Sequence, residues 1–162
     1  MGVIKMNLSI VLPYKYLDLR CRDHIISILR ETYINKLYER VIIKDFELDT
    51  DENDTICMTP LDRNKKLSIK VVVTDYVQYL VDDVVEGFVD LNSNPPLFRG
   101  EHLKMIIDNV TRQPDNIVTQ DGVKLSHNQK CRAKIMRLDY IELTMFYRGL
   151  VSIITETDTP RL

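Results

Sequence analysis

The chain has 162 residues, of which 44% are hydrophobic and 28% charged, and its formal net charge is −2. These proportions fit a globular chain of one domain or two small ones and exclude the collagen-like and disordered classes. The slightly negative balance excludes nucleic-acid binding driven by bulk charge and leaves only a local basic face for that role.

The opening MGVIKMNLSIVL lacks the regions of a secretory signal, and Met6 stands where a myristoylation motif takes Ser or Thr. No apolar run approaches the ~18 residues of a membrane helix, so an intracellular location is expected. Asn7 to Leu12 alternates as a first strand, stopped by Pro13. From Asp18 to Arg40 the pattern turns helical. Cys21, Ile25, Ile28, Leu29, Tyr33, Lys36 and Leu37 recur at spacings of three and four, with Arg22, Asp23, Arg30 and Glu31 on the far face. Asp18 suits the N-cap, and Lys36 and Arg40 suit the C-terminal end of the helix dipole.

Arg40 to Leu48 reads as a second strand leading into the polar loop DTDENDT. Asp49, Asp51 and Asn53 resemble the opening of a calcium loop, but Asp54 replaces the required glycine and Pro60 stands where a bidentate Glu belongs, so a solvated loop is expected. Ile56 to Met58 is a short strand candidate. Leu67 to Val89 is dense in β-branched and aromatic residues and too long for one strand. It predicts two strands with a bend near Asp82-Asp83, a seam at which one small domain hands over to another.

Asn92 to Pro96 (NSNPP) predicts a turn and Leu103 to Val110 a strand. Ile117 to Thr119 and Val123 to Leu125 flank Asp121-Gly122, a hairpin signal. Gln129 to Leu138 alternates, with Cys131, Ala133 and Ile135 on one face and Lys130, Arg132 and Lys134 on the other. Ile141 to Ile154 completes the set, with Ile141, Leu143, Met145 and Tyr147 inward and Phe146 and Arg148 outward. About five short strands without a helix predict a small closed barrel of the OB type.

The segments LYERV (Leu37 to Val41), VVVTDY (Val71 to Tyr76), DDVVEGFV (Asp82 to Val89) and RGLVSI (Arg148 to Ile153) occur in an order and spacing that spans nearly the whole chain. In this the chain resembles the stalk subunits of multisubunit DNA-directed RNA polymerases, a family that includes the seventh subunit of RNA polymerase II, its archaeal counterpart and a small poxvirus subunit. Asp82 stands where cellular members usually have Gly, and the second half is poor in glycine, which points to a viral branch. The resemblance implies an α+β chain with a tip domain over residues 1–81, one main helix on a small antiparallel sheet, which docks on the polymerase core. An S1-type OB barrel over residues 82–162 would follow. It further implies a partnership with the large catalytic subunits and a second stalk subunit, restraint of the clamp during initiation, and contact with emerging RNA. A viral member would work in the cytoplasm or virion, a host member in the nucleus.

The residues offer little to catalysis. His24, His102 and His127 sit in no ligand spacing, and no nucleophile or phosphate-binding motif occurs. Cys21, Cys57 and Cys131 are odd in number and form no CxxC, so they read as small buried hydrophobes. Asp82, Asp83 and Glu86 read as a polar rim rather than an acid/base or metal site. The chain is expected to be no enzyme and to take no cofactor or metal. Between Lys124 and Arg137 there are five cations (Lys124, Lys130, Arg132, Lys134 and Arg137) and no anion. Candidate RNA-binding residues are therefore Phe98, Arg99, His102, Lys104, Lys130, Arg132, Lys134, Phe146 and Arg148, in which cations line a strand face and aromatics, with Tyr140, stack bases. By position in the tip half, Pro13, Tyr14, Tyr16, Pro60 and Leu61 are the candidate polymerase contacts. A free-standing OB-type single-strand binder is the alternative.

Overall fold

The structure is a computed structural model that describes residues 3–13, 21–49 and 64–155. The chain divides into two compact units, Met1–Val77 and Gln78–Leu162.

In the first unit β1 (Ile4–Pro13), β2 (Leu37–Tyr38), β3 (Val41–Leu48) and β4 (Asn64–Val77) form an antiparallel sheet in the order β1-β4-β3-β2. Met6, Leu8 and Ile10 of β1 are buried, as are Leu67, Ile69, Val71 and Val73 of β4, every second residue in each. This period of two is what a sheet with one covered face requires. The single helix among the described residues, α1 (Cys21–Tyr33), contributes Ile25, Leu29 and Tyr33 to the same buried cluster. Each such apolar side chain removed from water stabilises the fold by about 1.5–3 kcal/mol. Arg22, Asp23, Arg30 and Glu31 lie on the exposed face.

The helix ends at Tyr33, shorter than the sequence pattern predicts. Lys36 lies beyond it, and Leu37 belongs to β2, so Lys36 and Arg40 do not serve the helix dipole. Glu39 and Arg40, at φ 47° and 72°, are instead the two turn residues between Tyr38 and Val41. Positive φ at both central residues is the geometry of the tight hairpin, which fits strand twist even where neither residue is glycine. Asp18, most of the acidic loop, Cys57 and the Ile56 to Met58 segment lie outside the described residues.

The second unit begins at Gln78, four residues before the expected boundary at 82. Tyr79 accounts for the difference: its ring packs edge-on against Tyr147 at 5.2 Å, and its hydroxyl donates to the Glu101 carbonyl at 2.8 Å. β5 (Val84–Asp90), β6 (Leu97–Gly100), β7 (Leu103–Ile107), β11 (Lys130–Asp139) and β12 (Arg148–Ile154) close into a barrel in the order β11-β12-β7-β6-β5. β12 and β7 run parallel and the other neighbours antiparallel, and β11 returns to pair with β5. Numbered along the barrel the order is 1-2-3-5-4-1, consistent with an OB-like barrel. A three-stranded sheet of β8 (Val110–Arg112), β9 (Asn116–Thr119) and β10 (Lys124–Ser126) is inserted between β7 and β11. Its β9–β10 hairpin turns through Asp121 and Gly122 as the dipeptide predicts, with Gly122 at φ 85°.

The barrel interior holds Val85, Val89, Phe98, Leu103, Met105, Ala133, Ile135, Tyr147, Val151 and Ile153. Beyond the end of β7, the Asn109 side chain extends the ladder. Its Nδ2 donates to the Ile153 carbonyl at 3.2 Å, and its Oδ1 accepts from the Ile153 N–H at 2.9 Å. The strand expected over Leu103 to Val110 ends at Ile107, and Val110 opens a separate strand, β8, that the sequence pattern does not mark. β6 was not expected, and residues 141–147 form a loop, so Ile141, Leu143 and Met145 are exposed and only Tyr147 of that set points inward.

Candidate nucleic-acid interface

Along β5 the residues alternate: Val85, Gly87 and Val89 are buried, while Val84, Glu86 and Phe88 are exposed. Residues directly opposite on neighbouring strands share a face, so the registers fix what surrounds Phe88. Phe88 pairs with Lys130 of β11 on one side and Arg99 of β6 on the other, and Arg99 pairs in turn with Lys104 of β7. Lys130, Phe88, Arg99 and Lys104 therefore form one row across four strands of the outer face, spanning about 14 Å at normal strand spacing. Phe88 is 49% exposed at its centre. A shallow depression of about 390 Å³ lies over this part of the face, lined by Glu86, Phe88, Arg99, Glu101 and Lys130 among others.

The neighbouring row of cations is also outward: Arg132 stands opposite Glu86, and Lys134 opposite Val84. Carboxylates hold most of these charges. Arg99 Nε donates to Asp90 at 2.5 Å, Lys130 Nζ lies 3.6 Å from Glu86, and Lys134 Nζ lies 3.5 Å from Asp82. Burial pushes the Asp90 carboxyl up, but the Arg99 hydrogen bond, the Asn92 N–H and the charges of Arg99 and His127 outweigh it and hold it below the usual carboxylate range. Among the described residues Lys104 makes no ion pair. Exposed pairs such as Lys130–Glu86 are worth at most about 1 kcal/mol, so a phosphate can displace the carboxylate from such a lysine.

The loops at the mouth are braced. The Leu91 N–H donates to Nδ1 of His127 at 3.0 Å, and the Arg112 guanidinium donates to the Leu91 carbonyl at 2.9 Å. His102, at φ 55° in the two-residue turn between β6 and β7, has its Nδ1 3.2 Å from the Met145 carbonyl. It is thus a brace between that turn and the 141–147 loop.

Of the residues expected to meet RNA, the barrel brings Arg99, Lys104 and Lys130 together and sets Arg132 and Lys134 beside them. Phe98 is a correction: it is 0% exposed, its ring lies over Gly87 inside the barrel, and no base can stack on it. Phe146 is half-buried in the loop before β12 and lies outside the row. Arg148 stands opposite Asp139 at the start of β12, and its Nε is buried without a hydrogen-bond partner. Tyr140 is partly exposed, 6.4 Å from Tyr147 ring to ring. Phe88 is the residue that sequence reasoning missed, although the alternation of Val85, Gly87 and Val89 marks it as outward. Of the candidate polymerase contacts, Pro13 ends β1 and its side chain, like all of Tyr14, Tyr16, Pro60 and Leu61, lies outside the described residues.

The carboxylates of Asp82, Asp83 and Glu86 disperse. Asp82 pairs with Lys134, Asp83 accepts the Leu80 N–H at 2.8 Å, and Glu86 pairs with Lys130. Among the described residues no three His, Cys, Asp or Glu side chains are grouped to hold a metal ion. Burial pushes the Cys131 thiol up to about 11, which keeps it protonated and a poor nucleophile near neutral pH. A phosphate chain laid along the row would meet cations on either side of an aromatic face.

No family model matches the chain, and no curated protein matches it.

Proposed function

We propose that this chain is a non-catalytic stalk subunit of a DNA-directed RNA polymerase, of a viral branch, whose first unit docks on the large catalytic subunits and whose S1-type barrel contacts emerging RNA. The observation that carries the reading is the row Lys130–Phe88–Arg99–Lys104 on a five-stranded OB-like barrel, in a chain whose other unit is a separate sheet and helix. Strands two and three of an OB barrel are a common oligonucleotide-binding face, and here they are β6 and β7. Two details support the resemblance. Asp82, where cellular members carry Gly, sits at φ 77°, a conformation in which glycine is the default and Asp is tolerated. Gly149 of the RGLVSI segment, at φ 150°, has the Arg137 carbonyl where a Cβ would go.

In this reading the subunit supplies assembly, clamp restraint and RNA guidance, alone or beside a second stalk subunit. Tagging the protein in the cells where it is made and recovering its partners tests it: the large catalytic polymerase subunits should co-purify, and their absence sinks the proposal.

The exposed Phe88 between two cations also favours a second reading, a free-standing single-strand binder. That protein would bind oligonucleotides steeply with falling salt and would co-purify with no polymerase subunit.

A further inference from the structure

Past Lys104 the outer face of the barrel dips into a depression of about 280 Å³ whose walls include Leu97, Lys104, Ile106, Ile141 and Arg148. We infer that this depression is a nucleobase pocket for single-stranded nucleic acid, an inference that rests on the nucleic-acid reading of the barrel face. Three observations converge on it.

The walls suit a flat, partly polar ring. Leu97 and Ile106 are cross-strand partners on β6 and β7, and Ile141 comes from the exposed loop before β12. All three present apolar surface that a base would cover.

Arg148, in the pocket wall, also has a donor without an acceptor. Arg148 stands opposite Asp139, the nearest carboxylate in register, yet Arg137 takes both oxygens of Asp139, each at 3.1 Å. Arg148 Nε is left buried and unpartnered. A buried charged donor in that condition is costly, and a turn of the Arg148 side chain toward the depression would let it meet a base, each of which carries ring nitrogens or carbonyls that accept.

Finally, the pocket continues the row. Lys104 is both the register partner of Arg99 and part of the pocket wall. A chain whose phosphates follow Lys130, Arg99 and Lys104 delivers its next base beside Arg148. Phosphate at Lys104 and base edge at Arg148 divide the two contacts between two residues.

The test uses the full chain and fluorescence anisotropy with a labelled oligouridylate and an oligomer of the same length made of abasic residues. Arg148→Lys keeps the charge but removes the Nε–H, and Ile141→Ser removes apolar surface from an exposed loop. Each is expected to weaken oligouridylate binding about 10-fold and leave abasic binding within 2-fold. Equal losses on both oligomers would reduce Arg148 to a phosphate contact and overturn the pocket. Wild-type affinity in both variants would overturn it too, while a loss in Phe88→Ala would leave the row standing. If the wild-type chain binds neither oligomer at low salt, the nucleic-acid reading fails and the pocket with it. Should Arg148→Lys not fold, Ile141→Ser alone decides.

Discussion

Gly87 of β5 and Phe98 of β6 share one site: a Cβ on Gly87 would stand 2.7 Å from Cζ of Phe98 and still closer to the Arg99 carbonyl. The absence of a side chain at 87 lets the Phe98 ring fill the barrel beneath the row. Gly87→Ala should therefore cost about 1–3 kcal/mol, the range for overpacking a filled core. Urea unfolding of the variant measures it, and an unchanged midpoint would show that the barrel has slack there.

Directly outside that site, Phe88 lies between Lys130 and Arg99. Phe88→Ala should weaken oligouridylate binding by about 1–3 kcal/mol, the stacking contribution of one base, while the slope of log affinity against log salt stays the same. Lys104→Ala should instead lower that slope by about 0.7, the value for one single-strand phosphate contact. Titrations at several salt concentrations separate the two. A Phe88→Ala protein that binds as the wild type would remove stacking from the mechanism.

Asp90 links the site to stability. Its side chain is only 13% exposed, and its folded carboxyl is held below the unfolded one. Stabilisation from it is thus fully present above about pH 3.9, the unfolded value, and is lost as pH falls through the folded value. Asp90→Asn should unfold with a shallower loss of stability below about pH 4 than the wild type. Urea melts across pH 2.5 to 6 test this, and parallel acid limbs would refute it.

In the first unit the edge strand β1 is closed from the helix side. Tyr33 Oη accepts the Ser9 N–H at 3.1 Å and donates to the Ser9 carbonyl at 2.6 Å. Both groups belong to an edge that would otherwise invite another strand. Tyr33→Phe should cost about 0.5–1.5 kcal/mol, read by thermal or urea unfolding. The same variant should self-associate more readily in sedimentation. A stable, monomeric variant would mean that water serves Ser9 equally well.

Where burial alternates with local periodicity, the sequence was legible. β11, the inward face of α1 and the Asp121-Gly122 hairpin follow from spacing and turn chemistry alone. Reading failed where tertiary context overrode propensity. Glu39 and Arg40 favour helix, yet the strand pair across them forces both into positive φ. Ile141, Leu143 and Met145 alternate as a strand would, but β12 starts only at Arg148, and these side chains stay in the loop. β6 escaped because four residues between NSNPP and a turn carry too short a pattern.

The candidate site divides in the same way. The sequence by itself determined that Lys130, Arg132 and Lys134 share an exposed strand face, because alternation depends only on neighbours along the chain. It also determined the broad class, two small units rich in β-structure with one helix among the described residues. Only the tertiary structure decided that the Phe98 ring fills the barrel, and that residues 88, 99, 104 and 130 lie side by side. Those facts depend on which residues stand opposite each other when the sheet closes. That register is set by the fit of Phe98 over Gly87 and by the return of β11 to β5, relationships between residues far apart in sequence that no local pattern encodes.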